Sequence, residues 1–270
     1  MTASRPAAQA FDTVAPMFDS RFGAWLSVAA QRRAVRRALL DAFPERGRIL
    51  ELGGGTGEDA LWMDQNGFEV LLTDAAPAMI AAARTKLVAT SIGAECVAAE
   101  DLDSYAQDYL QSGGPLFDGA FSNFAPLNCV TTLGPVAQGL ARLIRPGGQA
   151  MLVLFGTCSP GDVIVETLRG RPGQALRRRA SGPVPARLGG KHFTVTYHRS
   201  RALKEAMRPW FRLEACRGIG IFVPPSAAEP WISRHPQLLQ LCETIDHILE
   251  RPLAVLGDHV LYRFVRTEVS

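Results

Sequence analysis

Residues 49–57 read ILELGGGTG, a short apolar run that leads directly into closely spaced glycines. The apolar run predicts a buried strand whose last residues include the acid Glu51. The glycines at positions 53, 55 and 57 permit positive φ and carry no Cβ, so a ligand can lie against the backbone where the strand ends. The stretch therefore predicts a binding loop between a strand and the helix that follows it.

The spacing of these glycines distinguishes two classes of nucleotide ligand. A dinucleotide fingerprint, GxGxxG, would have its third glycine at position 58, where this chain has Glu58. That glutamate would also repel a pyrophosphate at the N-terminus of the helix. The pattern favours a nucleoside ligand without phosphates, and a nicotinamide-dependent dehydrogenase is kept as the alternative.

Two further acidic positions follow the next apolar runs. Asp74 comes directly after residues 68–73 (FEVLLT), where a carboxylate can accept hydrogen bonds from both hydroxyls of a ribose, or else cap the helix predicted to begin at Pro77. Glu100 and Asp101 follow a third predicted strand, residues 95–99, where they can accept a hydrogen bond from an exocyclic amine or form a solvated turn. Since parallel strands end at one edge of a sheet, the three acidic positions are expected to lie together.

Apolar runs alternate with helical patterns along most of the chain. Runs at residues 48–52, 68–73, 95–99, 117–122 and 149–155 predict parallel strands covered on both faces. The predicted fold is α/β and Rossmann-like: a doubly wound, mostly parallel seven-stranded sheet with helices on both faces and a small lid insertion. The expected parts are an N-terminal helical cap (1–44), a cofactor-binding core (45–156), a lid (157–198) and the C-terminal part of the same sheet (199–270), with later strands at 217–223 and 259–265.

Composition excludes several other classes. The chain has 270 residues, of which 47% are hydrophobic and 20% charged, with a net charge of +3, so neither disorder nor a strong field toward nucleic acid is indicated. Its five cysteines form no CxxC pair, and this predicts reduced thiols in a cytoplasmic protein. No signal-peptide pattern, membrane span or metal-ligand spacing is recognised.

These motifs resemble those of the class I S-adenosylmethionine-dependent methyltransferases, over residues 11–156. The similar stretches are LELGGGTG, the acid Asp74, AAEDL (98–102) and RPGGQAMLVLF (145–155). The segment FDTVAPMFD (11–19) is similar to the YDxxAxxYD entry of small-molecule members, including quinone-biosynthesis C-methylases, with phenylalanine in place of both tyrosines. The resemblance implies S-adenosylmethionine as cofactor and a small-molecule acceptor. It implies cofactor contacts from Phe18, Glu51, Gly53, Gly54, Gly55, Gly57, Asp74, Ala75, Met79, Glu100, Asp101, Leu102, Asn123 and Phe124.

A general base is needed only if the acceptor loses a proton as it attacks. Tyr197 and His198 are favoured, because they end a predicted strand after the lid, and ordinary polar surface residues are the alternative. His247 and His259 are expected to lie far from the acceptor, in the last helix and strand. His192 and His235 are the other candidates.

Other functions stay open. A non-catalytic cofactor-binding module would share every pocket motif, and an RNA methyltransferase would share the fold. Residues 123–126 (NFAP) depart from the Asn/Asp-Pro-Pro-aromatic tetrad of nucleobase N-methylases at two places. The arginines of residues 169–179 fit a solvated loop, a patch for a small anion, or a contact with RNA or membrane, although no aromatic residues interleave them.

Overall fold

In the computed structural model, which describes residues 5–268, a seven-stranded sheet forms the centre of the protein, with strand order β3-β2-β1-β4-β5-β9-β8. A separate two-stranded sheet pairs β6 with β7. The strands are β1 (Gly47–Leu52), β2 (Phe68–Asp74), β3 (Gly93–Cys96), β4 (Phe117–Ser122), β5 (Ile144–Phe155), β6 (Pro183–Leu188), β7 (Lys191–Thr196), β8 (Phe211–Ile219) and β9 (His259–Arg266).

Helices cover both faces of the large sheet. Successive residues of β1 enter opposite cores: Leu50 packs in the core that includes residues of α6, α7 and α10, and Ile49 in the core that includes residues of α3, α4 and α5. This is why the strands read as continuous apolar runs. The helices are α1 (Pro6–Val14), α2 (Phe18–Phe22), α3 (Leu26–Ala42), α4 (Glu58–Gln65), α5 (Pro77–Lys86), α6 (Leu102–Gln111), α7 (Gly134–Leu143), α8 (Pro160–Leu168), α9 (Pro172–Ala175), α10 (Ser200–Met207) and α11 (Pro236–Leu249).

Strand direction determines which residues lie at the edge where the parallel strands end. Strands β1 to β5 pair in parallel, whereas β9 runs antiparallel to β5 and to β8. Phe155, the last residue of β5, therefore pairs with His259, the first residue of β9. The predicted fold class, a mostly parallel seven-stranded Rossmann-like sheet, is confirmed.

The hairpin β6–β7 lies in the predicted lid segment and is fastened to the rest of the protein. The Asn128 Nδ2 group donates to Thr196 O at 2.6 Å, and Asn128 Oδ1 accepts from the Phe155 N–H at 3.0 Å. On the other side, the ring of Phe193 lies 6.2 Å from that of Phe11 in α1. The hairpin therefore joins the end of β5 to the N-terminal helices.

Several boundaries differ from the sequence prediction. The third strand ends at Cys96 instead of residue 99, and helix α6 was not predicted. The strand predicted at 217–223 is β8, which ends at Ile219 because Gly220 has a φ of +69° and turns the chain. The amides of residues 221–223 then bind the Asp246 carboxylate instead of a neighbouring strand.

None of the helices within residues 5–268 is long and apolar enough to cross a membrane. Residues 1–4 of the predicted cap and 269–270 of the predicted C-terminal part lie outside the described residues. The domain boundaries and the cytoplasmic location stay predictions.

Candidate functional site

The glycine loop between β1 and α4 has a different requirement at each position. A Cβ on Gly53, whose φ is +65°, would clash with Pro126, and one on Gly54 would lie 2.8 Å from Glu51 Oε2. Gly55 has a φ of +56°, and a Cβ there would meet nothing within 4 Å. Packing therefore excludes a side chain at Gly53 and Gly54, whereas at Gly55 the backbone borders open space that a ligand can occupy.

Asp74, at the end of β2, holds this loop. Its Oδ2 accepts a hydrogen bond from the Gly55 N–H at 2.9 Å, and its Oδ1 accepts one from the Ala76 N–H at 2.8 Å. Burial raises the pKa of Asp74, while these backbone donors partly offset the effect. Each carboxylate oxygen keeps further capacity to accept a hydrogen bond from a ligand.

Glu51 is a buried acid of the site that lacks, within residues 5–268, a hydrogen-bond partner at one carboxylate oxygen. It is 2% exposed, and its Oε2 has no hydrogen-bond partner among the described residues. Burial, followed by repulsion from Asp59, raises the pKa of Glu51 well above its usual range. An unpartnered buried carboxyl beside an open loop suits a ligand that brings a cation or a hydrogen-bond donor.

A network of charges positions the segment that follows β4. Asp59 Oδ1 lies 2.8 Å from an Arg36 nitrogen, and Asp59 Oδ2 accepts from Asn123 Nδ2 at 2.9 Å. The next two residues, Phe124 and Ala125, have φ angles of +56° and +62°. Two consecutive left-handed residues other than glycine are uncommon, because the conformation costs free energy and surrounding contacts must hold it. Such residues recur at functional sites.

The N-terminal helices cover the start of α5. Asp12 Oδ1 accepts from the Ala78 N–H at 2.7 Å, and Asp19 accepts from Thr56 Oγ1 at 2.5 Å. Met79 is fully buried in this contact. The cluster comprises Ala8, Val14, Ala15, Ala76 and Met79, with Phe11, Phe18, Ala75, Ala78 and Leu188 packed against it. Three of the predicted site residues, Phe18, Ala75 and Met79, therefore belong to one cluster beside Asp74.

The third predicted acidic position differs from the expectation. Glu100 and Asp101 lie in a 3₁₀ turn after β3, not at the strand end, and both are exposed, with Asp101 paired to Arg5. The side chain of Leu102 is buried in the core between α6 and α7. Any contact from Leu102 to a ligand would therefore have to come from its backbone.

The two favoured base candidates differ in their freedom to react. His198 is buried, its Nε2 lies 2.8 Å from Val130 O, and burial lowers its pKa. That nitrogen is thus engaged in fastening the lid. Tyr197 is partly exposed, and its ring lies 5.7 Å from that of Phe155.

His259, expected far from the acceptor, lies instead at the edge where the parallel strands end. It belongs to the last strand, as predicted, but the direction of β9, which the apolar pattern does not reveal, brings it to this edge. The imidazole is 7% exposed, stacks 4.9 Å from Phe155 and meets Phe124 edge-on at 5.9 Å. Its Nδ1 lies 3.2 Å from Asp258 Oδ2. Among residues 5–268 this nitrogen has no hydrogen-bond partner, so the carboxylate acts on the ring through its charge.

The arginine-rich segment includes one buried arginine. Arg178 is 6% exposed, donates to Asp258 O at 2.7 Å and Oδ1 at 2.6 Å, and places its Nε 3.0 Å from Asp162. Although burial raises it, Arg178 and then His259 hold the pKa of Asp258 well below its usual range. Arg178 thus ties the lid to the chain just before β9, so a wholly solvated loop does not describe this segment.

Part of the chain is similar in sequence to known proteins. Residues 49–148 match a family model described as "Methyltransferase domain". The biotin biosynthesis bifunctional protein BioHC of Cellvibrio japonicus (strain Ueda107) is 32% identical over 160 residues, which make up 58% of this chain. The chain covers only 28% of that relative's length.

Two solved structures share the architecture. The [4+2]-cyclase SpnF superposes with a TM-score of 0.58 at 15% identity, over 98% of this chain and 96% of that one. A protein from Listeria monocytogenes described as a putative S-adenosylmethionine dependent methyltransferase gives 0.54 at 14% identity, over 83% and 91%. At such identities these similarities establish the fold.

Proposed function

Because residues 49–148 match a family model described as "Methyltransferase domain", we propose that the protein transfers a methyl group from S-adenosylmethionine to a small-molecule acceptor. The match supports the predicted enzyme class, and the S-adenosylmethionine cofactor is part of the proposal. The acceptor and the individual site residues stay proposals.

The open backbone at Gly55, hydrogen-bonded to Asp74, is the observation that carries the proposal. A nucleoside lying against Gly55 would place its ribose hydroxyls beside Asp74, whose carboxylate oxygens can accept hydrogen bonds from them. The unpartnered carboxyl of Glu51 would bind the cationic methionine end. The cluster around Met79 and Phe18 would bound the adenine on its apolar side.

When bound, the donor supplies an activated methyl group on a sulfonium with a neutral leaving group. What the protein must add is positioning and the exclusion of water. Asn123, held by Asp59, and Phe124, held in a left-handed conformation, would fix the floor of the reaction space after β4. Asn128 attaches the lid hairpin to the last residue of β5, so the hairpin would limit the access of water to that end of the strand.

Where the acceptor must lose a proton, His259 is the group we assign to take it. Its ring lies beside Phe124 and Phe155, and Asp258 lies beside its Nδ1. A carboxylate in that position favours the tautomer that leaves the other nitrogen free to accept a proton. The two bases favoured from the sequence are less suitable. His198 is hydrogen-bonded to the backbone oxygen of Val130, and the ring of Tyr197 packs beside that of Phe155.

A function other than methyl transfer has one specific argument, because a protein described as a [4+2]-cyclase shares this fold over nearly its full length. The fold alone thus does not imply methyl transfer. An RNA acceptor has weaker support, because Arg171, Arg177 and Arg178 are paired with Glu166, Asp162 and Asp258.

The test is transfer of tritium from S-adenosyl-[methyl-³H]methionine. The purified protein is incubated with this donor and, separately, with a small-molecule extract and an RNA extract of the source cells. We expect label in the small-molecule fraction. Label in RNA would contradict the proposed acceptor class, and binding of the donor without any labelled product would favour the non-catalytic module.

A further inference from the structure

A cavity of about 360 Å³ lies in the lid, between the hairpin β6–β7 and the segment of α9. We call it the lid cavity. Its volume is in the range of small-molecule sites in proteins. Apolar walls come from Val184 and Val195, a directly opposed pair of the hairpin, and from the ring of Tyr197.

Three basic residues line the lid cavity. Arg177, Arg187 and His192 line it, and its lining contains no carboxylate. Arg177 is neutralised by Asp162, which lies 3.1 Å away. Arg187 forms no ion pair within residues 5–268 and stands directly opposite His192 in the hairpin register. Arg187 is therefore the lining arginine whose charge no carboxylate of residues 5–268 neutralises.

One lining residue, Tyr197, links the cavity to the proposed reaction space. The ring of Tyr197 lies 5.7 Å from that of Phe155, which in turn stacks 4.9 Å from His259. Asn128 connects the same two regions through Thr196 O and the Phe155 N–H. A molecule held in the cavity would thus lie next to the edge where β4 and β5 end.

From this combination we infer that the lid cavity binds the acceptor, and that the acceptor is an organic anion. Its charged group faces Arg187 and His192, and its apolar part contacts Val184 and Val195. An ion pair at such a partly exposed arginine contributes a modest preference, whereas apolar contact supplies the rest of the affinity. The inference rests on the proposed function only in identifying the bound anion as the acceptor.

The probes are benzoate and benzamide, which share a ring and nearly the same shape but differ in charge. Each is titrated into the ¹⁵N-labelled full chain while amide shifts of residues 183–197 are followed. We expect benzoate to bind at least about threefold more tightly than benzamide. Arg187→Gln removes the preference. Lys191→Gln, a matched loss of charge on the same hairpin outside the cavity lining, keeps it.

Equal affinities for the two probes would overturn the inference, as would shifts confined to other regions. If Arg187→Gln and Lys191→Gln reduced the preference for benzoate over benzamide equally, the inference would also be overturned, because the preference would then reflect the net charge of the protein. S-adenosylhomocysteine is titrated in the same series, with shifts of residues 53–57 as the readout. Its failure to bind would contradict the proposed function while leaving the anion site intact.

Discussion

The carboxylate of Asp74 accepts a hydrogen bond of 2.9 Å from the backbone N–H of Gly55, so the acid that ends β2 fixes the most open point of the glycine loop. An acid and a bare stretch of backbone are thereby held side by side at the edge where the parallel strands end. We propose that this arrangement binds a phosphate-free nucleoside, whose ribose hydroxyls would donate to the acid while the nucleoside lies against the bare backbone.

Gly55→Ala tests whether the open space beside the loop is the ligand site. A Cβ there meets no protein atom, so the expected loss of stability is only the left-handed strain, about 1–2 kcal/mol. Affinity for S-adenosylhomocysteine should fall at least about tenfold, which corresponds to about 1.4 kcal/mol. Calorimetry measures the affinity and thermal melting measures the stability.

Gly113→Ala is the matched control for this change. Gly113 has a φ of +84°, and a Cβ on it would also meet nothing within 4 Å, but it lies after α6, outside the candidate site. It should show similar strain and retain wild-type affinity. If both alanines weakened binding equally, the effect at Gly55 would be one of stability and not of contact.

Glu51→Gln should raise stability in neutral solution and lower affinity for the ligand. The pKa of Glu51 is raised in the folded state, so the wild-type protein loses stability as pH rises above the usual value of 4.5, whereas glutamine does not titrate. The difference in Tm between variant and wild type should be near zero below about pH 4 and positive at pH 7. A difference that does not change with pH would contradict a buried, unpaired carboxyl.

Arg178→Met should release the lid. It leaves Asp258 and Asp162 without their shared arginine, and breaking a buried ion pair costs about 3–5 kcal/mol. Limited proteolysis within residues 157–198 should accelerate. Because the pKa of Asp258 is lowered in the folded protein, its ion pair with Arg178 stabilises the fold fully above the usual pKa of 3.8. This stabilisation should be lost progressively as the pH falls from that value toward the lower pKa of the folded state.

Arg179→Met is the control for that variant, since its neighbour Arg179 is exposed. An exposed substitution should change stability by no more than about 0.5 kcal/mol. If cleavage of the lid accelerated to the same extent in both variants, the network around Arg178 would not be what fastens it.

His259→Gln should separate chemistry from donor binding. With an acceptor that must lose a proton, we expect the rate of methyl transfer to fall by about 10²–10⁴-fold and the affinity for S-adenosylhomocysteine to stay unchanged. His247→Gln, on the exposed side of α11, should keep the wild-type rate. A normal rate in His259→Gln would remove this residue from the mechanism.

The part of the molecule that the sequence predicts well is the part built from local patterns. Apolar runs located β1, β2 and β4, and the glycines with Asp74 located the loop, since each feature depends on residues close together in the chain. Helix α6 had a readable signal in Leu102, Ala106 and Tyr109, which repeat at helical spacing.

The features that the sequence could not predict depend on contacts between distant residues. The position of His259 at the edge where the parallel strands end could not be predicted, because pairing with Phe155, more than a hundred residues earlier, sets the direction of β9. Arg178 reads as one of several exposed arginines until the structure brings Asp258 to it. The left-handed φ of Phe124 likewise has no signal in its own residue type.

The most direct test of the central claim is a calorimetric comparison of S-adenosylhomocysteine and NAD⁺ as ligands of the wild-type protein and of Asp74→Ala. We expect one molecule of S-adenosylhomocysteine bound per wild-type chain, much weaker binding in the variant, and no heat of binding with NAD⁺. Binding of NAD⁺ without S-adenosylhomocysteine, or unchanged affinity in Asp74→Ala, would contradict it.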